Sequence, residues 1–341
     1  MTLLLAGIAV LALVEVAVNV VLRPQSGPPA LLAVFEPHLL VIGAVCGALA
    51  ILLTLGDRDS RASRIRVLGI VVIVVALVRV GGEWWSPGDN RARGEPSPVE
   101  TRITVLTWNL ESGSKAPQDV VDGILDVRQP LRPQVVALQE LTPEISAAID
   151  ASDEIDRRFP YRILEPRDDV RGMGILSSIP LLEGAYGAFP MLLTAGLVMP
   201  DGSRLDLVNA HPLPPKIATI AGVPVSLDAR IRDKDLGDVR AAVDRAEDPA
   251  RILLIGDLNT TPFEPGFSLV ATGLHDLHAE VATGTGFTWR PFSLEPLGLG
   301  LLRIDHVLAG EDLRPVAAAE DCSIAGDHCR VTTVIDVPEA D

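Results

Sequence analysis

The stretch RILLIGDLNTTPF, residues 251–263, runs an aliphatic strand-like segment into Gly256 and then presents Asp257 and Asn259. Side chains two apart on a strand share a face, so this carboxylate and amide can converge on one ligand while Leu258 points away. Taken alone, the pair is equally well explained as a polar strand terminus before a turn at Pro262. The pattern recurs along the chain. ITVLTWNL (103–110) carries Asn109, QVVALQE (134–140) carries Gln139 and Glu140, and RLDLVNAHP (204–212) carries Asn209 and His211. RIDHVLA (303–309) carries Asp305 and His306, and CRVTTVIDV (329–337) is entered through Asp327 and His328. Each residue has a local alternative as turn former, helix cap or acceptor for a neighbouring amide. Together they point to a shared site, because buried charge is costly unless it is paired or bound to metal.

The donor types define the chemistry. Carboxylate and amide oxygens without thiolates suit a hard divalent cation such as Mg²⁺ or Mn²⁺, which binds through one or two carboxylates plus substrate phosphate. Two histidines and a spare aspartate supply proton transfer.

The elements that must position these residues are short apolar runs alternating with helical ones. GMGILSS (172–178) completes the strands, and helices are expected over 118–129, 143–152 and 233–247, the last with apolar residues at 236, 239, 243 and 246. This is a mixed α/β layered domain. VATGTGFTWRPFSLEPLGLGLL (281–302) reads as an irregular loop. Its Trp289 either lines the site or anchors packing, and its LGLGLL either touches lipid or fills a core. His306 alternates to the face opposite Asp305 and reads as structural.

Of the 341 residues, 48% are hydrophobic, and the excess is at the front. Residues 2–22 and 31–55 are each long enough to cross a bilayer core, and 65–85 is a weaker third whose apolar run lies between Arg66 and Arg79. It spans if both arginines snorkel and Trp84 and Trp85 lie at the interface. Residues 1–85 are therefore expected to be a membrane anchor. Glu15, Asn19, Glu36 and His38 within it are expected to face neighbouring helices or an interface. GDRDSRASRIR carries four arginines against one in RPQSGPPA, which assigns the former to the cytoplasm. With three spans the remaining chain emerges on the extracytoplasmic side of the cell membrane; with two it stays inside. The absence of a charged intramembrane pathway speaks against a transporter.

Residues 86–100 have the composition of a linker, and 101–341 form the soluble domain. The first 94 residues hold eight Lys/Arg and six Asp/Glu, leaving 21 basic against 39 acidic residues, a net charge of −18. Such a field repels polyanions unless metal or a local basic patch offsets it. Cys322 and Cys329, seven apart, either form a disulfide or remain buried thiols, and no second Cys or His pair stands at zinc-ligand spacing.

The ordered set TWNL, ALQE, GMGILSS, VNAHP, LIGDLNTTP, RIDHVL and GDH, over roughly residues 101–337, resembles the endonuclease/exonuclease/phosphatase superfamily of deoxyribonuclease I-like metal-dependent phosphoesterases. The resemblance implies a four-layered α/β/β/α sandwich with its site where strand ends meet, preceded here by transmembrane helices. It implies Glu140 as principal metal ligand, with Asn109 and Asp327 beside the metal. Asp257 would position or activate the nucleophile, and Asn259 would hold a phosphate oxygen. His328 would be the general base, oriented by Asp305, and His211 a phosphate-contacting or acid histidine. Gly326 departs from the Ser of many members. The implied activity is phosphoester hydrolysis, with nucleic acid, a phospholipid head group or a small phosphodiester as substrate and no protein partner. The alternative is a non-catalytic, membrane-tethered binding domain that keeps the fold.

Overall fold

A computed structural model describes residues 1–84, 100–126, 132–182, 184–282, 284–291 and 300–340. The expected linker, apart from Glu100, and the end of the helix expected over 118–129 lie outside the described residues, as do residues 297–299 of LGLGLL.

The chain begins with α1 (Thr2–Leu22), β1 (Ser26–Gly27), α2 (Pro28–Val34), α3 (Glu36–Leu53), α4 (Ser60–Arg79) and α5 (Gly81–Trp84). Three helical stretches, Thr2–Leu22, Glu36–Leu53 and Ser60–Trp84, are long and apolar enough to cross a membrane. The segment expected over 31–55 divides at Phe35, because Pro37 in the first turn of α3 cannot continue the hydrogen-bond ladder of α2. Leu31 to Val34 therefore leave the span. Glycines let the helices meet closely: a Cβ on Gly47 would lie 2.7 Å from Val72. Polar groups pair between helices, with Asn19 donating to Glu36 at 2.6 Å and Arg79 Nε to the same carboxylate at 2.8 Å. Arg79 thus pairs rather than snorkels, while Arg66 donates to the carbonyls of Thr54 and Asp57. Glu15 is buried, and its carboxylate has no hydrogen-bond partner among the described residues.

The domain continues with β2 (Glu100–Asn109), α6 (Pro117–Leu125), β3 (Val135–Gln139), α7 (Pro143–Asp150), α8 (Asp153–Arg158), β4 (Tyr161–Glu165) and β5 (Met173–Ser177). Next come β6 (Leu181–Leu182), β7 (Tyr186–Ala188), β8 (Met191–Val198), β9 (Arg204–Ala210), the hairpin β10 (Lys216–Ile220) and β11 (Val223–Asp228), and α9 (Arg230–Val243). The last elements are β12 (Ile252–Asp257), α10 (Pro265–Val270), β13 (His275–Asp276), α11 (Leu277–Val281), β14 (Asp305–Ala309), β15 (Arg314–Asp321) and β16 (Arg330–Pro338).

Two sheets stack face to face. One has the order β15-β16-β2-β3-β5-β4; the other has β13-β14-β12-β9-β8-β6, with β7 paired to β8. Ile103 and Val105 of β2 point into the inter-sheet core with Leu207, Leu253 and Ile255, while Leu106 and Trp108 point outward beneath α6 and α7. Both faces are covered, which explains the near-continuous apolar runs. Leu254 and Leu308 pack under α9 and α10, so the order of layers is helix, sheet, sheet, helix. This is the four-layered α/β/β/α sandwich expected from the sequence.

Parallel pairing of β2 with β3 and of β9 with β12 brings four strand C-termini to one end of the sandwich. The three long apolar helices dock on the domain through the α1 and α4–α5 C-termini and the stretch between α1 and α3, away from the Arg-rich turn. Asn19 donates to Phe263 O at 2.8 Å, and Arg303 bridges Glu83 and Asp276 at 2.6 and 2.7 Å. Cys322 and Cys329 form a disulfide.

Candidate active site

Glu140 and Asn259 both adopt left-handed backbone conformations, φ 58° and 51°, which a non-glycine residue takes up only where its surroundings enforce it. Each stands just past the end of a strand, where the turn swings the side chain into the crevice between the sheets. Gly256 carries φ 137°, and a Cβ there would collide with the backbone carbonyl of Ala210 on the adjacent β9. The glycine before Asp257 is thus required by close strand packing. Antiparallel pairing of β12 with β14 sets Asp257 opposite Asp305.

Asp257 is the hub. Its Oδ2 accepts from Asn109 Nδ2 at 3.0 Å and lies 3.6 Å from Nε2 of both His211 and His328. Asn109 Nδ2 also donates to Glu140 Oε1 at 3.1 Å, and His211 Nε2 is 3.6 Å from that same oxygen. Burial pushes the Asp257 carboxyl up and Asp305 adds to this, against the opposing pull of His328 and His211.

His328 Nδ1 lies 3.0 Å from Asp305 Oδ2 and 3.3 Å from Oδ1. Burial alone would lower the imidazole, but Asp305 and Asp257 outweigh it and raise it to about 10. Thr288 Oγ1 accepts from the backbone N–H groups of Ile304 and Asp305 at 3.2 and 3.1 Å and so fixes the start of β14.

Asp327 accepts from Trp289 Nε1 at 3.3 Å through Oδ2, whereas its buried Oδ1 has no partner among the described residues. Burial and Glu111 raise its carboxyl to about 6. The Glu111 carboxylate, held by Lys115, accepts the backbone N–H groups of Asp327 and His328 at 2.9 and 3.3 Å. Gly326 leaves room for this pair: with φ 137°, a Cβ there would collide with Glu111 Oε1 and Lys115 Nζ. The departure from Ser in this motif therefore has a structural partner in Glu111–Lys115. Arg290, buried, donates to the carbonyls of Gly326 and Cys322 at 3.0 and 3.1 Å and anchors the loop from behind.

Asn259 donates through Nδ2 to Pro212 O at 3.0 Å, and its backbone carbonyl accepts from the buried Arg232 at 3.0 Å. Arg232 is itself held by Glu264 at 2.6 Å and Asp233 at 2.7 Å. His306 lies on the far face, bonded to Thr260 O at 2.9 Å and tilted against Phe267. Gln139 and Asn209 do not enter the site. They join at 2.7 Å and cross-link the two sheets behind it.

Asn109, Glu140, His211, Asp257, Asn259 and His328 share a cavity of about 460 Å³. Asp305 stands behind His328, and Asp327 beside Trp289. Asp257, Asp305 and His328 also bring potential ligand atoms within 4.8 Å of one another. That imidazole is held between two carboxylates, an arrangement suited to moving a proton, and Glu140 stands beside Asp257, each accepting from the Asn109 amide nitrogen. Sequence reasoning missed Glu111, Lys115, Thr288, Arg290 and Arg232. Only Glu111, two residues beyond Asn109, carried a signal by proximity.

The Endonuclease/Exonuclease/phosphatase family profile matches residues 106–328. Among curated proteins, no sequence matches the chain. Among solved structures, D. rerio TDP2 complexed with single-strand DNA product superposes with a TM-score of 0.53 at 18% identity, covering 69% of this chain and 99% of that one. The 3′ phosphatase NExo from Neisseria, bound to product DNA hairpin, gives 0.52 at 18% identity, with 68% and 98% covered. An AP endonuclease from Archaeoglobus fulgidus gives 0.52 at 16% identity, with 70% and 100% covered. The chain belongs to the endonuclease/exonuclease/phosphatase family and is a hydrolase of phosphoester bonds.

Proposed function

We propose that the chain is a membrane-anchored, divalent-metal-dependent phosphoesterase whose catalytic domain, from about residue 101, faces the extracytoplasmic side. The observation that carries the reading is the convergence of Asn109, His211 and His328 on the single oxygen Asp257 Oδ2.

Glu140, Asn109 and Asp327 would hold the cation. The fit rests on the unpartnered Oδ1 of Asp327 and on two carboxylates, Glu140 and Asp257, bridged by the Asn109 amide where a cation could neutralise both. When bound, Mg²⁺ or Mn²⁺ neutralises charge on the phosphoryl oxygens and makes phosphorus a better electrophile. With a cation offsetting the charge of the carboxylates that hold the ring protonated, His328 would accept the proton of the attacking water at Nε2, while Asp305 holds Nδ1–H and stabilises the imidazolium. Asp257, facing that Nε2, orients the water. Asn259 and His211 bind phosphoryl oxygens, and protonated His211 returns a proton to the leaving oxygen. The water oxygen joins phosphorus as one P–O ester bond breaks.

Extracytoplasmic placement is supported by the domain docking on the end of the helix bundle opposite the Arg-rich 57–66 turn, together with a disulfide suited to an oxidising compartment. The test uses the full chain in detergent with Mg²⁺, assayed against bis(4-nitrophenyl) phosphate, plasmid DNA, inositol phosphates and phospholipid, with EDTA as control. Turnover that disappears with EDTA and in Glu140→Ala and His328→Ala is expected. No turnover of any phosphoester, or full activity in both variants, would sink the reading.

A further inference from the structure

Beside its polar groups the catalytic cavity has an apolar wall. It is made by Leu31, Val34 and Phe35 from α2 and its junction with α3, and by Ile217, Pro224 and Leu227 of the β10–β11 hairpin. These two parts are one structure. Gly27 pairs with Leu227 and Ser26 with Asp228, and Ala30, Val34, Leu227 and Ala229 form a common apolar cluster. The strand carrying Ser26 follows directly on α1, so the wall is built where the chain leaves its first membrane-spanning helix and before it re-enters through α3. The hairpin then presents Ile217, Ile220 and Val223 outward, at 55%, 69% and 61% exposure, around a turn at Ala221–Gly222. Exposed apolar side chains next to membrane helices gain free energy by entering the interface.

The charge pattern argues in the same direction. A polyanion needs lysines and arginines free to neutralise its phosphates. Among the described lining residues the lone guanidinium is Arg232, already held by Glu264 and Asp233, and residues 95–341 carry a net charge of −18.

We propose that the substrate is a bilayer phospholipid, its phosphodiester among Glu140, Asp257 and His328 and its acyl portion between α2 and the β10–β11 hairpin. This rests on the phosphoesterase reading above and names the substrate of the same site. Lipid enters from the leaflet in which α1 ends and α3 begins. The polar groups supply the proton transfers already described, and hydrolysis on either side of phosphorus converts a phosphodiester and water into a phosphomonoester and an alcohol. The cavity, about 460 Å³, is within the ~300–1,000 Å³ typical of small-ligand sites and admits one lipid head region with the start of a chain.

The experiment reconstitutes the full chain in nanodiscs of phosphatidylcholine and phosphatidylglycerol with Mg²⁺. Phosphodiester-to-monoester conversion is followed by ³¹P NMR, with bis(4-nitrophenyl) phosphate and single-stranded DNA as parallel substrates. Lipid conversion is expected, and in Ile220→Asp/Val223→Asp the ratio of lipid to bis(4-nitrophenyl) phosphate turnover should fall by about tenfold or more. Leu227→Trp, which narrows the cavity at the apolar wall, should lower the same ratio. Turnover of the soluble diester or DNA with no lipid conversion would overturn this inference and leave the phosphoesterase reading intact. A lipid ratio unmoved in both variants would also overturn it. If no substrate of the three is hydrolysed, the phosphoesterase reading itself fails.

Discussion

Asp305 Oδ2 lies 3.0 Å from His328 Nδ1, although the two residues are 23 apart and belong to different sheets. β14 delivers the carboxylate from one sheet, and the turn before β16 delivers the imidazole from the other. The contact therefore exists only if the sandwich closes in this register.

Asp305→Asn should retain the fold and lose activity on the order of 10³- to 10⁴-fold, because an amide no longer stabilises the charged ring or fixes its tautomer. Turnover of a soluble diester measures the loss. NMR titration of His328 should show its value falling, since Asp305 is the leading group that raises it to about 10. An unchanged titration would place the imidazole elsewhere.

Glu140→Ala should weaken Mg²⁺ binding by about 10- to 100-fold or more, read by calorimetry on the purified chain without substrate. Asp327→Asn should weaken it as well. Equal affinity in the wild type and both variants would move the cation to the Asp257, Asp305 and His328 group instead.

Gly326→Ser should lower both stability and activity. The backbone at φ 137° is strained for any residue with a Cβ, and that Cβ meets the tips of Glu111 and Lys115. Displacing them releases the backbone N–H groups of Asp327 and His328 from Glu111 and loosens both side chains. Thermal unfolding and turnover measured on one preparation separate the two effects.

Stability should fall as pH drops from about 6.5 to about 4, through His306. Burial, reinforced by Arg303, lowers this imidazole from 6.5 to about 4 in the folded chain. Between those values the unfolded chain binds the extra proton, so acidification favours unfolding by about 1.4 kcal/mol per pH unit and about 3 kcal/mol in all. Denaturant unfolding of the wild type and of His306→Gln across this window checks the sign: the variant should be flatter.

Cys322→Ser/Cys329→Ser should cost about 2–3 kcal/mol, the chain-entropy value for so short a loop. Because the loop carries Asp327 and His328, activity should fall with it, and a reducing agent should reproduce both effects in the wild type. Arg290 holds the same loop through the carbonyls of Gly326 and Cys322, so the loss of activity should be partial.

The sequence alone determined the layered α/β class, the three long apolar helices and the polar strand ends, because apolar period and the cost of unpaired charge are local properties of the chain. It did not yield β8, the β10–β11 hairpin or β15. MLLTAGLV and RPVAAAED have no strand signature of their own and are extended because β9 and β16 template them. Asn209 and Gln139 look like Asn109 and Glu140 in sequence. The packing of the two sheets alone turns the first pair into a cross-link and the second toward the crevice. Likewise Leu31 to Val34 read as the start of a span, until Pro37 breaks the helix and β1 pairs with β11, making them a wall of the site. Residue types fix which chemistry is available. Which copies of those types share a cavity is decided by strand register and sheet stacking, contacts made across as many as two hundred positions.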